Sequence, residues 1–506
     1  MEEKEKTYKE KIKDSLGHVL ENGFIPEFGI HRQGKVRDIH FTSDKMGSPI
    51  IMVSSDRVSA FDIVLPRCIP FKGEVLNLIS QWAFKKTEDI VPNALIESPD
   101  SNMVVQKMLN RIDFECVVRG FVWGSLAADY EKGKRDICGI KFPDDILRYQ
   151  KLPEPIFTPA TKMDSGHDEN VSFEYMAEKI GKELAEKIKD ISVKLYMRGM
   201  ELALEKGLVF IDTKYEFGLD DKGNIILIDE ANTPDSSRFC TVDEYRKSEQ
   251  IAKEMASGQY KDVSDLISKQ PELKIHELSK QFVRDVLIEA GHSDDNPMTS
   301  MTDDQIIETS FRYISLYEKL TGETFTFPET MINPKLRLAG NIAASGIGKG
   351  CCAVIMAGSD SDAPHIKKIA DALEKYQIPH TVRICSAHKQ PEDCQKMIEY
   401  YNSSVEPILI IAVAGGTDAL SGIASFHSAH PVISCAPDKE EYESCLKNPP
   451  GSSNALILRP DNAARFAAQY FSFINKDIRK SFEKSKQSKI SSLKEADEKA
   501  QSKKLF

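Results

Sequence analysis

Four apolar runs of strand length recur after residue 350, and they constrain the fold more than anything else in the chain. Residues 353–357 end in GSDSD at 358–362, residues 380–384 end in CSAHK at 385–389, and residues 408–414 end in GGTDALSG at 415–422; a fourth run spans 431–435. Between them lie amphipathic stretches, such as Ile366, Ile369 and Leu373, spaced for one face of a helix. Strands that are apolar throughout are covered on both faces, so their alternation with helices predicts an α/β domain with a doubly wound parallel sheet. Ligands bind such sheets beyond the carboxyl ends of the strands, and the first loop runs into a helix N-terminus, which favours anions. Each loop alone suits a turn or a cap; three at one sheet edge favour a binding site. The dinucleotide fingerprint GxGxxG is absent from the first loop. His388 is the only histidine in the three loops, and between Ser386 and Lys389 it suits a general acid/base.

Upstream the texture differs. Residues 338–350, LAGNIAASGIGKG, are small and glycine-rich and predict a linker. The expected organisation is a first domain over 1–337, this linker, a second domain over 351–480, and a solvated, charged, helical tail over 481–506. In the first domain, Ile180, Leu184, Ile188, Ile191 and Leu195 mark one face of a single long helix over 174–206, with Gly207 as its C-cap. Two strands follow, 208–219 and 224–229, joined by a turn at 220–223. Alternation places Asp212, Lys214 and Glu216 on one face. Pairing Leu219 with Asn224 sets Glu216 opposite Leu227 and Lys214 opposite Asp229. Two chemistries fit that face. One is a solvated sheet surface with cross-strand ion pairs; the other is a magnesium–phosphate site, with hard oxygen ligands and a lysine to neutralise phosphate. The loop after it, DEANTPDSSR at 229–238, adds Asp235, Ser236 and Arg238, groups suited to phosphate or carboxylate. Gly34, Lys35 and Arg37 form a second cluster, with Lys35 and Arg37 expected on one face of a short strand. SSDRVSAFD at 54–62, followed by Lys72 and Gly73, is a polar run in apolar surroundings. Arg119 leaves a hydrophobic strand toward Ser125, and an arginine there needs an anionic partner.

The net charge of −11 argues against nucleic acid as the main partner, without excluding anionic substrates at a local site. The charged N-terminus has no apolar core and the longest apolar runs are strand-length, so neither a secretory signal nor a membrane span is expected. Ten scattered cysteines with no CxxC pair give no support for a disulfide framework or structural zinc and suggest a reducing, cytoplasmic setting.

The motifs GKVRD, SSDRVSAFD, VVRGFVWGS, FTPATKMDSGHDEN, FIDTKYEFG and LIDEANTPDSSR, in this order, resemble the SAICAR synthetase family over roughly residues 25–330. That resemblance implies an α+β fold related to the ATP-grasp enzymes. It also implies joining of L-aspartate to carboxyaminoimidazole ribonucleotide (CAIR), with ATP as cosubstrate and Mg²⁺. Gly34, Lys35, Arg37 and Lys107 are then expected near ATP, and Glu216 and Asp229 as Mg²⁺ ligands. Asp212 and Lys214 would line the nucleotide site, Lys214 with a catalytic part, while Arg119, Ser125, Asp235, Ser236 and Arg238 would hold the ribonucleotide. Residues 162–170 look like the longer, yeast-like form of the family and are expected to face nucleotide. In the second domain GSDSD, SAHK and AVAGG, followed by PVISC and NPPGSSNA, resemble the AIR carboxylase family over about 352–478. This implies a flavodoxin-like sheet and carboxylation of aminoimidazole ribonucleotide (AIR). Ser359, Asp360 and Asp362 would hold the ribose phosphate, and Ser386, Gly415 and Gly416 would line the substrate site. His388 would move the ring proton and Lys389 would hold CO2 or the new carboxylate. SAHK is similar to the kind that uses CO2 directly, whereas a carbamate mutase usually carries SAHR. Gly416 departs from animal enzymes of the direct kind, which usually have arginine there. The carboxylase resemblance also implies a homo-oligomer, an octamer built on the second domain.

Overall fold

The computed structural model describes residues 2–61, 63–162, 169–292, 301–328, 332–437 and 442–503. Asp62 of the polar run 54–62, and residues 163–168 of the stretch 162–170, lie outside them. The chain divides into two compact units, one of Met1–Glu21 with Gly34–Thr330 and one of Asn22–Gln33 with Met331–Phe506.

In the first unit, Arg37–Phe41, Pro49–Ser54, Met103–Lys107 and Leu95–Asp100 run side by side, all antiparallel. A second sheet is built on the long strand Leu208–Leu219, which pairs with Phe114–Phe121, Ser237–Thr241 and Ile225–Ile228. Helices Lys72–Thr87, Lys182–Glu205 and Asp303–Thr321 contribute to the core, with Leu76, Leu195, Phe210, Phe217 and Tyr313 inside it.

Two local expectations are corrected. The single helix over 174–206 is two helices, Phe173–Ile180 and Lys182–Glu205. Gly181 adopts φ 89° and donates its N–H to the Ala177 carbonyl, closing the first helix one residue before the second starts. The hairpin register is shifted by one: Leu219 pairs with Ile225 and Glu216 with Ile228. Asn224 belongs to the turn, because the Asp220 carboxylate accepts hydrogen bonds from the Lys222 and Asn224 backbone and from Asn224 Nδ2. Asp229 therefore lies beyond the strand Ile225–Ile228, with a left-handed φ of 63°, rather than opposite Lys214.

The second unit is a five-stranded parallel sheet in the order His380–Ile384, Cys352–Ala357, Ile408–Val413, Val432–Ser434, Ala455–Leu456. Alternation along Cys352–Ala357 explains its two covered faces. Ala353, Ile355 and Ala357 pack with residues of helices Ala363–Glu374 and Pro460–Phe471, while Cys352, Val354 and Met356 pack with those of Pro391–Asn402 and Ala419–His427. The fold is thus an α+β unit and a doubly wound α/β unit, as the sequence predicts. The segment 338–350 is not a linker throughout. Helix Pro334–Ser345 runs through it, capped by Asn333, with Leu338, Ala339 and Ile342 buried, and ends at Gly346 with φ 81°. Alanine and leucine in helical spacing outweigh the isolated Gly340. The charged tail is helical, part of Lys476–Lys503, and its root is fixed by buried Ile478. Among the described residues no helix is long and apolar enough to cross a membrane.

The second unit also includes Asn22–Gln33. Phe24 packs on Tyr400 at 4.1 Å between ring centroids. Glu406 accepts from the Glu27 backbone N–H at 2.9 Å, and the Glu27 carboxylate accepts from the backbone N–H groups of Lys349 and Gly350. Glu406 is fully buried and its Oε2 has no hydrogen-bond partner.

Candidate functional site

In the first unit, neighbouring strands bring the charged residues together. Arg119 and Arg238 are the cross-strand partners of Asp212 on either side of it. Arg238 Nη1 lies 2.6 Å from Asp212 Oδ2 and Arg119 Nη1 lies 3.5 Å from the same oxygen. Arg119 is buried, donating also to Thr158 Oγ1 at 2.9 Å and Ser125 Oγ at 3.3 Å. Gly124, at φ 56°, leaves room for Arg238, since a Cβ there would come within 2.7 Å of the guanidinium. Arg119, Ser125, Asp212 and Arg238 line a polar cleft of about 170 Å3 together with Lys214, Asp235, Ser236, Lys280 and Arg284.

The carboxylate face forms a second cluster beside the cleft. Lys214 pairs with Glu115, and Lys162 with Glu216. Arg37 forks onto two carboxylates, Asp229 at 2.5 Å and Glu230 at 2.6 Å. Burial, and then the negative charge of Asp229, push the Glu216 carboxyl up. Burial acts the same way on Asp229, but Arg37, Lys162 and Lys214 outweigh it and hold Asp229 below the ordinary carboxylate value. The two acids are thus near enough to sense each other, and they carry unlike proton affinities. Mg²⁺ is commonly held by one or two carboxylates plus substrate phosphates and water, and this pair of hard oxygen donors fits that need. Among the described residues no group of three metal-ligating side chains occurs.

The basic motif is arranged differently from the expectation. Only Arg37 lies in the strand; Lys35 sits exposed in the bend before it, so the two do not share a strand face. The bend is tight: Gly34 N–H donates to the Arg37 carbonyl at 2.7 Å, and a Cβ on Gly34 would meet that oxygen at 2.9 Å. Lys107 is exposed at the end of its strand. Asp235 lines the cleft but is committed internally. Fully buried Lys72 donates to it at 2.8 Å and Tyr313 OH at 2.8 Å. Burial alone would raise this carboxyl; Lys72 and Lys280 override it and hold it well below the usual range.

Lys280 and Arg284 escaped the sequence reading. They are four apart at the start of helix Gln281–Glu289, the spacing that puts two side chains on one helix face. That spacing is a legible signal, but it is common on solvated helices. Lys280 donates to Ser59 Oγ at 3.0 Å. Burial, only partly countered by Asp235, brings its ammonium down to about 8.

In the second unit the three polar loops follow adjacent parallel strands and therefore share one sheet edge. Ser359 Oγ accepts from Ser361 N at 3.2 Å, so GSDSD folds as a capped turn leading into helix Ala363–Glu374. Ser386 Oγ accepts from Lys389 N at 3.3 Å, and both His388 and Lys389 are exposed. Gly416 takes φ 65°. Beside it the buried Asp418 accepts from Ser421 N at 2.9 Å and Ser434 Oγ at 2.5 Å, which braces the loop that carries Gly415 and Gly416.

Residues 30–274 match the SAICAR synthetase family model. The phosphoribosylaminoimidazole-succinocarboxamide synthase of Cytophaga hutchinsonii is 42% identical over 315 residues, covering 61% of this chain and 93% of that protein. The chain belongs to the SAICAR synthetase family. The synthase of Legionella pneumophila is 40% identical over 309 residues, covering 59% of this chain and 90% of its own length. Among solved structures, the SAICAR synthase of Saccharomyces cerevisiae complexed with SAICAR has a TM-score of 0.50 at 31% identity, over 61% of this chain and 99% of that one. Residues 352–492 match the AIR carboxylase family model. The chain therefore matches two enzyme families, over separate segments.

Proposed function

We propose that the chain performs two consecutive steps of purine synthesis: the second unit carboxylates AIR to CAIR, and the first joins CAIR to L-aspartate using ATP. The observation that carries this is the pair of family matches, one on the unit with the cation-lined cleft and one on the unit with three loops at a sheet edge.

In the ligase step the CAIR carboxylate oxygen attacks the γ-phosphorus of ATP, ADP leaves, and an acyl phosphate forms. The aspartate amine attacks its carbonyl carbon, phosphate leaves, and the nitrogen gives up a proton. Arg119 and Arg238 bind the anionic ribonucleotide, with Ser125 and Ser236 as hydroxyl partners. Asp212 holds the two guanidinium groups in place. Asp235 acts through Lys72 and Tyr313 as a positioning residue. Arg37, Lys35 and Lys107 supply cations for the triphosphate, and Lys214 stabilises charge as it develops. Mg²⁺ held by Glu216 and Asp229 would neutralise charge on the triphosphate.

In the carboxylase step the ring carbon of AIR bonds to the carbon of CO2 and its proton passes to His388. Lys389 steadies the new carboxylate as a point charge, and the ribose phosphate sits on Ser359, Asp360 and Asp362. Lys389 favours direct use of CO2 over a carbamate mutase. A homo-oligomer built on the second unit, an octamer by family resemblance, is supported by the exposed Val382 and Ile384 of an edge strand and by Phe426 and Leu446. Ten free cysteines and the absence of a membrane-spanning helix among the described residues support a cytoplasmic enzyme. The test is labelled bicarbonate with AIR and no ATP. Label entering CAIR supports the direct carboxylase. No incorporation, with turnover of supplied carbamate, replaces it with the mutase.

A further inference from the structure

A short hairpin in the first unit holds an aromatic side chain in an unfavourable backbone conformation. Ala60 pairs with Ile63, which leaves a two-residue connection whose first residue is Phe61, at φ 51°. Tight turns of this kind call for glycine or asparagine where φ is positive, and a bulky side chain there is strained. Phe61 is also 38% exposed. A bulky apolar residue that is both strained and exposed contributes little to folding, so its placement needs another explanation.

Its surroundings supply one. Phe61 lines a cavity of about 610 Å3 that shares Ser125, Arg238, Gln281 and Arg284 with the polar cleft. Two other aromatic residues line that cavity, Trp123 and Tyr149, but both are buried and pack on each other at 4.3 Å between centroids. Phe61 is the exposed ring of the three. The base of its hairpin is tied to the cleft, since Ser59 accepts from Lys280. The imidazole of His292 lies on one face of the Phe61 ring at 4.3 Å with planes 17° apart, so that face is taken by the chain itself and a ligand ring would use the other, on the side of the cavity that Phe61 lines.

We propose that Phe61 is a specificity-determining residue of the ligase site, a platform on which the aminoimidazole ring of the ribonucleotide stacks while the cations of the cleft hold its anionic groups. The proposal rests on the ligase reading above. It divides the work by chemistry: Arg119 and Arg238 recognise charge, and Phe61 recognises a flat, weakly polar ring that ion pairs cannot discriminate. Substrates with the phosphate but no aromatic ring would then bind poorly although every cation is available.

The test compares wild type, Phe61→Leu and Phe61→Tyr in the synthetase reaction with CAIR, ATP and aspartate. Phe61→Leu keeps apolar bulk and loses the aromatic face; Phe61→Tyr keeps the face. The expected result is a KM for CAIR raised about fivefold in Phe61→Leu, with kcat and the KM for ATP within twofold of wild type, and near-normal behaviour in Phe61→Tyr. Tryptophan-fluorescence melting that matches wild type separates this from misfolding. A KM for CAIR within twofold of wild type in Phe61→Leu, or a KM for ATP that rises in step, overturns the proposal. If the wild-type chain makes no SAICAR, the ligase reading falls and this falls with it; if it does and Phe61→Leu is normal, only the role of Phe61 falls.

Discussion

Replacing Lys72 by methionine tests what Asp235 is for. Lys72 is fully buried, and its ammonium lies 2.8 Å from Asp235 Oδ2; Asp235 keeps one other strong partner, the Tyr313 hydroxyl at 2.8 Å. Removing the cation leaves a buried carboxylate with a single hydrogen bond, a loss that costs about 3–5 kcal/mol. Removing both charges is different, because apolar pairs often replace buried ion pairs with little loss. In Lys72→Met with Asp235→Leu the remaining penalty is the Tyr313 hydroxyl, about 1–3 kcal/mol. Both tryptophans, Trp82 and Trp123, lie in the first unit, so urea unfolding followed by their fluorescence reports that unit. With an m-value of about 3 kcal/mol/M, the single variant loses about 1 M or more in midpoint and the double variant recovers at least part of it. Acid gives a second check. Asp235 has a folded-state proton affinity below its unfolded one, so its contribution is complete above the ordinary value of 3.8 and is lost as pH falls below it. The gap between wild type and Lys72→Met therefore narrows below about pH 4. A double variant as unstable as the sum of the two single variants would refute the buried-pair account and return Asp235 to direct substrate contact.

Three further outcomes follow from the sites. Asp229→Asn is expected to remove SAICAR formation and leave CO2 incorporation intact, because an amide is a poor Mg²⁺ ligand and also weakens the Arg37 fork; near-normal ATP turnover in coupled assays contradicts it. His388→Asn is expected to slow carboxylation by about 10²–10⁴-fold with ribonucleotide affinity little changed, as measured by titration calorimetry; loss of binding equal to loss of turnover would make His388 structural. Glu406→Gln is expected to flatten a pH dependence. Burial, and then Glu27, hold the Glu406 carboxyl well above its unfolded value of 4.5, so wild-type stability falls as pH rises past that value. The amide variant should protect residues 22–33 from hydrogen exchange better than wild type at pH 8, and equal wild-type protection factors, exchange taken relative to the intrinsic rate at each pH, at pH 5 and pH 8 argue against the coupling.

What was legible in the sequence follows from how local each signal is. The strand Leu208–Leu219 and the parallel strands of the second unit stand out, because apolar runs closed by Gly, Ser and Asp have few other solutions. The pairing register did not, since Asn224 can end a strand or complete a turn, and the Asp220 side chain decides between them. Gly181 and Gly340 look alike in sequence, yet only Gly181 takes a positive φ and breaks a helix. Joining of Asn22–Gln33 to the second unit could not be read, because Glu27 and Glu406 are 379 residues apart. The cations of the ligase cleft were found where each lies in a distinctive motif, Arg119 in VVRGFVWGS and Arg238 in LIDEANTPDSSR, and missed where they sit on an ordinary amphipathic helix, as Lys280 and Arg284 do.

The most direct test of the whole account is one reaction with the purified chain: AIR, isotopically labelled bicarbonate, ATP, Mg²⁺ and L-aspartate, with products identified by mass. The account predicts SAICAR carrying one labelled carbon, and labelled CAIR alone when aspartate and ATP are left out. Failure to form SAICAR from supplied CAIR, or SAICAR without label from AIR, would contradict it.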